Sequence, residues 1–125
     1  MISEGFIEPH FFAGYSGGRK SILPGIAGKN TIFANHCSEF IADMNARTGI
    51  LKDNPIHKDM LFAAEKAKLA FILNVVINSK KRIVNSFAGN FIKAHEKGCE
   101  FLQSLAEKKA IKPGIVITSN GGYPL

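Results

Sequence analysis

Between Pro9 and Ser21 the chain reads PHFFAGYSGGRKS, and most of its chemistry-bearing residue types are gathered there. Glycines at 14, 17 and 18 allow successive backbone N–H groups to turn into one concavity, a shape that can hold phosphate. Arg19 and Lys20 add positive charge, and Ser16 and Ser21 add hydroxyl donors. A phosphate-bearing ligand is therefore the first expectation. The stretch from Gly14 to Ser21 nearly satisfies the phosphate-loop pattern G-x-x-x-x-G-K-S, but Arg19 stands where the second glycine must fold tightly before the lysine. No clear buried strand precedes it either. A basic surface turn is the bland alternative. The histidine, the two aromatics and the basic pair around the glycines favour function.

The four histidines divide by context. His10 follows Pro9 at the edge of the glycine-rich loop, where an imidazole that titrates near neutrality can move protons. His36 follows Ile32 by one helical turn, which alone suggests a hydrogen-bonded core histidine, although a neutral imidazole facing a cavity is also a good nickel ligand. His57 and His95 default to surface or capping roles. Tyr123, after Gly121-Gly122, reads equally as a site-lining residue or a turn aromatic.

The elements that must position these groups follow from the pattern of the rest. Residues 1–13 read as an extended segment broken at Pro9, and residues 14–28 as a shaped loop, with glycines at 14, 17, 18, 25 and 28. Residues 30–45 should form one helix, capped by Asn30 or Thr31, with Ile32, Phe33, Cys37, Phe40 and Met44 as its inner stripe. After a loop over 46–54, Pro55 suits the first turn of a second helix ending near Lys68. The run from Phe71 to Ile77 is apolar and β-branched, a buried strand. Asn78 to Lys81 turn the chain, and Arg82 to Phe87 form a neighbouring antiparallel strand. A helix over about 91–109 should bury Phe91, Ala94, Cys99, Leu102 and Leu105. Gly114 to Thr118 read as a last strand. The order fits an α/β fold, a layered sheet with helices.

Composition narrows the function classes. Hydrophobic residues make up 46% and charged residues 21% of the 125, as in soluble globular proteins. No apolar run approaches the roughly 20 residues of a membrane helix, and the N-terminus carries no signal-peptide pattern, so a cytoplasmic protein without a membrane partner is expected. The net charge of +6, from 16 basic and 10 acidic residues, is dispersed rather than striped, which gives nucleic acid little to bind. Cys37 and Cys99 lie far apart with no CxxC partner and read as free buried thiols.

The stretch from Glu8 to Gly28, EPHFFAGYSGGRKSILPGIAG, resembles the nickel-pincer-nucleotide-dependent lactate racemase family. So do Thr31-Ile32 with Asn35-His36, Asn54 to His57, Ile72 to Val75, and Thr118 to Leu125, so that the resemblance spans the whole chain. It implies a central fragment of a larger two-domain protein. Residues 1–112 would close the family's N-terminal cofactor-binding domain, and residues 113–125 would begin the next. The implied cofactor is Ni(II) held by a nickel pincer nucleotide, pyridinium-3-thioamide-5-thiocarboxylic acid mononucleotide. By position, Lys20 would bind it covalently through a thioamide and His36 would complete a square-planar nickel site. His10 would take the hydroxyl proton of a small 2-hydroxy acid substrate while hydride leaves the α-carbon.

Beside these implied roles, Ser16, Gly17, Gly18 and Arg19 would hold the nucleotide phosphate, and Phe12 and Pro24 would pack against the flat ring. The family's second catalytic histidine and its substrate arginine belong to an upstream segment, with further substrate contacts beyond Leu125. The isolated chain is therefore expected not to racemise lactate without the remaining segments of the full-length enzyme. Pairing between copies through an open sheet edge, giving a homo-oligomer, is a further expectation. The competing readings are a phosphate- or nucleotide-binding α/β module without catalysis, and a bare fold unit.

Overall fold

The computed structural model describes residues 1–109 and 111–118. A three-stranded sheet of order β1-β4-β5 carries the fold. Strand β1 (Ile2–Phe6) runs parallel to β4 (Phe71–Ile77), with Ile2 beside Phe71 and Phe6 beside Val75. Strand β5 (Ile83–Gly89) returns antiparallel through the turn at Asn78, whose side chain accepts from the amides of Lys80 and Arg82. The long crossover between β1 and β4 holds everything that positions the site. It contains a two-residue ladder of β2 (Pro9–His10) with β3 (Gly14–Tyr15), a 3-10 turn (Gly18–Ser21), and helices α1 (Lys29–Asn35), α2 (Ser38–Ala42) and α3 (Pro55–Lys66). Helix α4 (Lys93–Ala106) follows β5.

The helices and the loop gather on one face of the sheet. Ile72 packs with Ile22, Ala64, Leu69, Phe91 and Ala94, and Val76 packs with Ile7, Tyr15 and Cys99. Strand β4 is therefore half-buried, not fully buried as its apolar run suggests. Ile72, Asn74 and Val76 point inward, while Phe71 and Leu73 on the other face stay exposed. Gly98 lets α4 approach closely, since a Cβ there would collide with Ile7 and press the Phe87 ring at 3.1 Å.

Three expectations are corrected. The single helix over 30–45 is two short helices, because the His36 imidazole meets the Ile32 carbonyl at 3.1 Å and caps α1, and Cys37 is extended. Phe33 and Met44 consequently lie outside any buried stripe, 62% and 74% exposed. The segment 114–118 forms no strand: a strand needs a ladder partner, and Ile115 and Ile117 stand 83% and 94% exposed. Leu105, assigned to the inner face of α4, is exposed as well. Tyr123 lies outside the described residues.

The second helix begins as expected. Asn54 caps α3, accepting from the amides of Ile56 and His57 at 3.0 and 3.2 Å. Its Nδ2 reaches across to donate to the carbonyls of Phe12 (2.8 Å) and Ile50 (3.0 Å). One buried side chain thus starts a helix and pins the aromatic part of the loop.

Candidate functional site

The short β2–β3 ladder folds the chain back on itself and sets His10 near the start of the 3-10 turn that carries Lys20. His10 Nε2 and Lys20 Nζ lie 3.0 Å apart. Phe12 stands edge-on to both neighbouring imidazoles, with ring centroids 4.8 Å from His10 and 5.1 Å from His36. His10, Phe12, Lys20 and His36 therefore share one half-buried face of the crossover. Pro24 lies half-buried in the turn just beyond.

The hydrogen-bond partners fix what each group can do. A carbonyl only accepts, so the Ile32 contact makes His36 Nδ1 the protonated nitrogen and leaves the Nε2 lone pair free for a metal. His10 Nδ1 accepts from the Ala13 amide over a long 3.3 Å bond, which places the hydrogen of the neutral ring on Nε2, facing Lys20. A neutral amine accepts that hydrogen. Burial, and then the charge of Arg19, push the Lys20 amine down to about 8. Burial pushes His10 down to about 4, helped by Lys20, Arg19 and His36 in that order. At neutral pH the imidazole is uncharged and the amine has an appreciable nucleophilic fraction.

Arg19 departs from its expected place at a phosphate. Its side chain turns inward and is fully buried. The guanidinium donates to the carbonyls of Ala13 (2.7 Å) and Tyr15 (2.9 Å), with Gly17 O at 3.4 Å. His95 Nε2 lies 3.0 Å from it and 2.8 Å from Ser16 O, so that ring nitrogen either accepts from Arg19 or donates to Ser16. The reason is the loop's own need: its turned backbone exposes carbonyls toward the core, and buried carbonyls require donors.

Several donors of the expected phosphate cradle are engaged within the fold. The Gly18 amide donates to Asn74 Oδ1 (2.8 Å), the Ser16 amide to Glu8 O and the Lys20 amide to Gly17 O. The Ser16 hydroxyl accepts from Glu8 N and donates to Phe6 O. Gly17 and Gly18 instead serve the turn, with φ of 79° and 55°, and a Cβ on Gly18 would sit 2.9 Å from the His95 ring. A cleft of about 200 Å3, lined by Gly5, Phe6, Ser16, Gly17, Lys20 and Ser21, adjoins the lysine. Two larger hollows, about 350 and 410 Å3, run between Gly49 and α4 and touch none of His10, Lys20 or His36.

His57 and His95 are buried, where surface or capping roles were expected of them. Burial lowers each to about 3, with Arg19 the next cause for both. Signals for this existed in the sequence. His95 falls in step with Phe91, Ala94, Gly98 and Cys99 on the inner face of α4, and Asn74 is the one polar residue inside an apolar strand run. A polar group at an inward position must have a partner. Cys37 and Cys99 are free thiols as expected; Cys99 is buried, Cys37 only half so.

The donor set fits the cofactor that the resemblance implies. It offers one amine with a lowered pKa, one imidazole with a free Nε2, and an aromatic edge between the two histidines. Among the described residues no three His, Cys, Asp or Glu side chains form a metal site. No helix among the described residues is long and apolar enough to cross a membrane.

Residues 1–49 match the family described as lactate racemase N-terminal domain. The whole chain aligns with the lactate racemases of Thermoanaerobacterium thermosaccharolyticum (67% identity) and Lactiplantibacillus plantarum (60%). It covers 29% and 30% of their lengths. The structure of the T. thermosaccharolyticum lactate racemase apoprotein superposes with a TM-score of 0.79 and 71% identity, over 80% of this chain and 24% of that one. A Thermotoga maritima protein superposes with a TM-score of 0.66 at 28% identity, over 82% of this chain and 27% of that one. Over the segment it spans, the chain is similar in sequence and in fold to lactate racemases.

Proposed function

We propose that this chain is the cofactor-anchoring segment of a nickel-dependent racemase that interconverts the D and L forms of lactate or a related 2-hydroxy acid. The convergence of Lys20, His10, Phe12 and His36 on one face carries the reading. Identities of 67% and 60% to lactate racemases support it. When bound, the nickel pincer nucleotide supplies an acceptor for the hydride of the substrate α-carbon. Lys20 would hold that group covalently at Nζ, where a lowered pKa leaves part of the amine uncharged and nucleophilic. His36 would offer Nε2 to Ni(II), its Nδ1 being held by the Ile32 carbonyl.

Phe12 and Pro24 wall the flat ring and keep water from it. His10 takes the substrate hydroxyl proton at Nε2; its hydrogen must first pass to Nδ1, and only the weak Ala13 contact opposes that shift. Racemisation needs a base on each face of a planar carbon, so a second base comes from segments beyond this chain. Residues 1–112 then belong to the cofactor domain, residues 113–125 lead into the next, and the enzyme works in the cytoplasm.

The test is intact-mass and metal analysis of the protein produced together with cofactor-synthesis enzymes. A covalent adduct should appear on Lys20 with about one nickel per chain. Lys20→Ala should remove the adduct. His36→Ala should keep it while losing most of the nickel. An adduct on another lysine, or none on folded and cofactor-supplied protein, would refute the proposal. A plain phosphate-binding module is disfavoured because three of the loop amides are taken up inside the fold.

A further inference from the structure

The inner side of the loop is built as carefully as the outer one. A guanidinium sealed from solvent is an expensive thing to bury. Here no carboxylate accompanies it among the described residues, where the only ion pair is Lys58 with Asp53 on the surface. Backbone carbonyls and one imidazole are its partners: Ala13 O, Tyr15 O, Gly17 O and His95 Nε2. These carbonyls alternate along the very segment that links His10 to Lys20. His95, from α4, closes the arrangement with its Nε2 set between Arg19 and Ser16 O, pairing with one of them, and packs its ring against Gly18. Asn74, from β4, takes the Gly18 amide. The loop is thus tied to the far helix and the central strand through three buried polar side chains.

We propose that Arg19 and His95 are positioning residues, which hold the inner side of the loop so that the Lys20 amine and the His10 imidazole meet on its outer side. The proposal rests on Lys20 and His10 being the working pair, but not on any cofactor. Two independent observations point the same way. The geometry places every Arg19 contact between residues 13 and 17, or on the helix that braces them. The buried positive charge also lies close enough to depress Lys20, His10, His57 and His95 together. A lysine at position 19 would keep the charge and lose the fork that reaches several carbonyls at once.

The test reads Lys20 itself. The charged or titratable groups facing it are Arg19 and His10, with His36 beyond Phe12. The intact protein is acylated with acetic anhydride across a pH series, and each lysine is followed by peptide mass spectrometry, the others serving as reference. Lys20 should label with a midpoint near 8. In Arg19→Lys the loop relaxes, water reaches the amine, and the Lys20 midpoint should rise by about one pH unit or more while the other lysines stay put.

His95→Leu should shift it in the same direction. His95→Gln, which keeps a donor and an acceptor at that place, should restore most of the parent value. Thermal unfolding checks that each variant is folded; should Arg19→Lys unfold, His95→Leu decides. An unchanged Lys20 midpoint in a folded Arg19→Lys or His95→Leu protein overturns the proposal. So does a uniform rise in the reactivity of all lysines, which would mark general loosening. Because no nickel or nucleotide is involved, failure here leaves the racemase reading to its own adduct test.

Discussion

Arg19 and Lys20 are chain neighbours with the same charge, yet they end in opposite surroundings. Arg19 is sealed among carbonyls and His95, and Lys20 is half-exposed beside His10. The histidines divide along the same line, His57 and His95 inside and His10 and His36 outside. One short loop therefore does two jobs. Its inner face satisfies the backbone that glycine turns have left pointing into the core. Its outer face is free for chemistry because the inner face needs nothing from it. Substitutions inside should therefore act on stability, and substitutions outside on binding and proton transfer.

The largest expected effect is that of Arg19→Met. It removes the donors to Ala13 O and Tyr15 O without letting water in. Each buried acceptor left unpaired costs about 1–3 kcal/mol, so a loss of about 3 kcal/mol or more is expected from urea unfolding, reduced somewhat by no longer burying a charge. A loss below about 1 kcal/mol would show that the inner face is not what holds the loop. Gly18→Ala comes next. It forces a non-glycine residue to φ of 55° and pushes a methyl to 2.9 Å from the His95 ring. Left-handed strain of about 1–2 kcal/mol and crowding together should lower stability by about 2–3 kcal/mol, measurable in the same unfolding experiment.

Much of this division was legible from the residues. The loop, the strand at 71–77, the turn and returning strand, and both long helices lie close to where pattern and caps put them. His10, Phe12, Lys20 and His36 do converge. What could not be read was direction. Two glycines and two cations in a row suggest an anion site, and nothing local says that the first cation turns inward. That choice depends on carbonyls whose burial is created by α4 and β4, over 50 residues away. The terminal run at 114–118 failed for the opposite reason: its strand propensity is local, but strand formation needs a partner. His95 lies on the inner stripe of α4 by spacing, but a polar residue there betrays burial only when its partner on the loop is known.

Acid should destabilise the fold through its buried histidines. His57 and His95 fall to about 3 and His10 to about 4, from 6.5. The unfolded chain therefore binds protons below pH 6.5 that the folded chain refuses. Stability rises with pH wherever the unfolded state holds more protons, so it should be full above about 6.5 and fall between 6.5 and about 3. The slope approaches about 1.4 kcal/mol per pH unit for the buried His95 and is smaller for His57 and the more exposed His10, where solvent screens the charge. Urea midpoints measured from pH 7 down to 4 should show the fall. His95→Gln should make it shallower, and an unchanged slope would mean that burying this imidazole uncharged does not carry the fall.

The smallest effect on stability belongs to Lys20→Met. The amine is half-exposed, and its one polar side-chain contact is His10. Removing it deletes no donor to a buried carbonyl and relieves a positive charge facing Arg19, so unfolding free energy should change by less than about 1 kcal/mol. The signature lies next door. Lys20 is the largest charge-based cause of the low His10 value, after burial. Without it, His10 should titrate above its present value of about 4 but still below 6.5, because burial and Arg19 remain. Proton NMR of the His10 ring signals would follow this directly. A His10 titration that does not move would mean that the two groups do not interact as their 3.0 Å separation requires, and a stability loss as large as that of Arg19→Met would mean that the outer face, too, holds the fold.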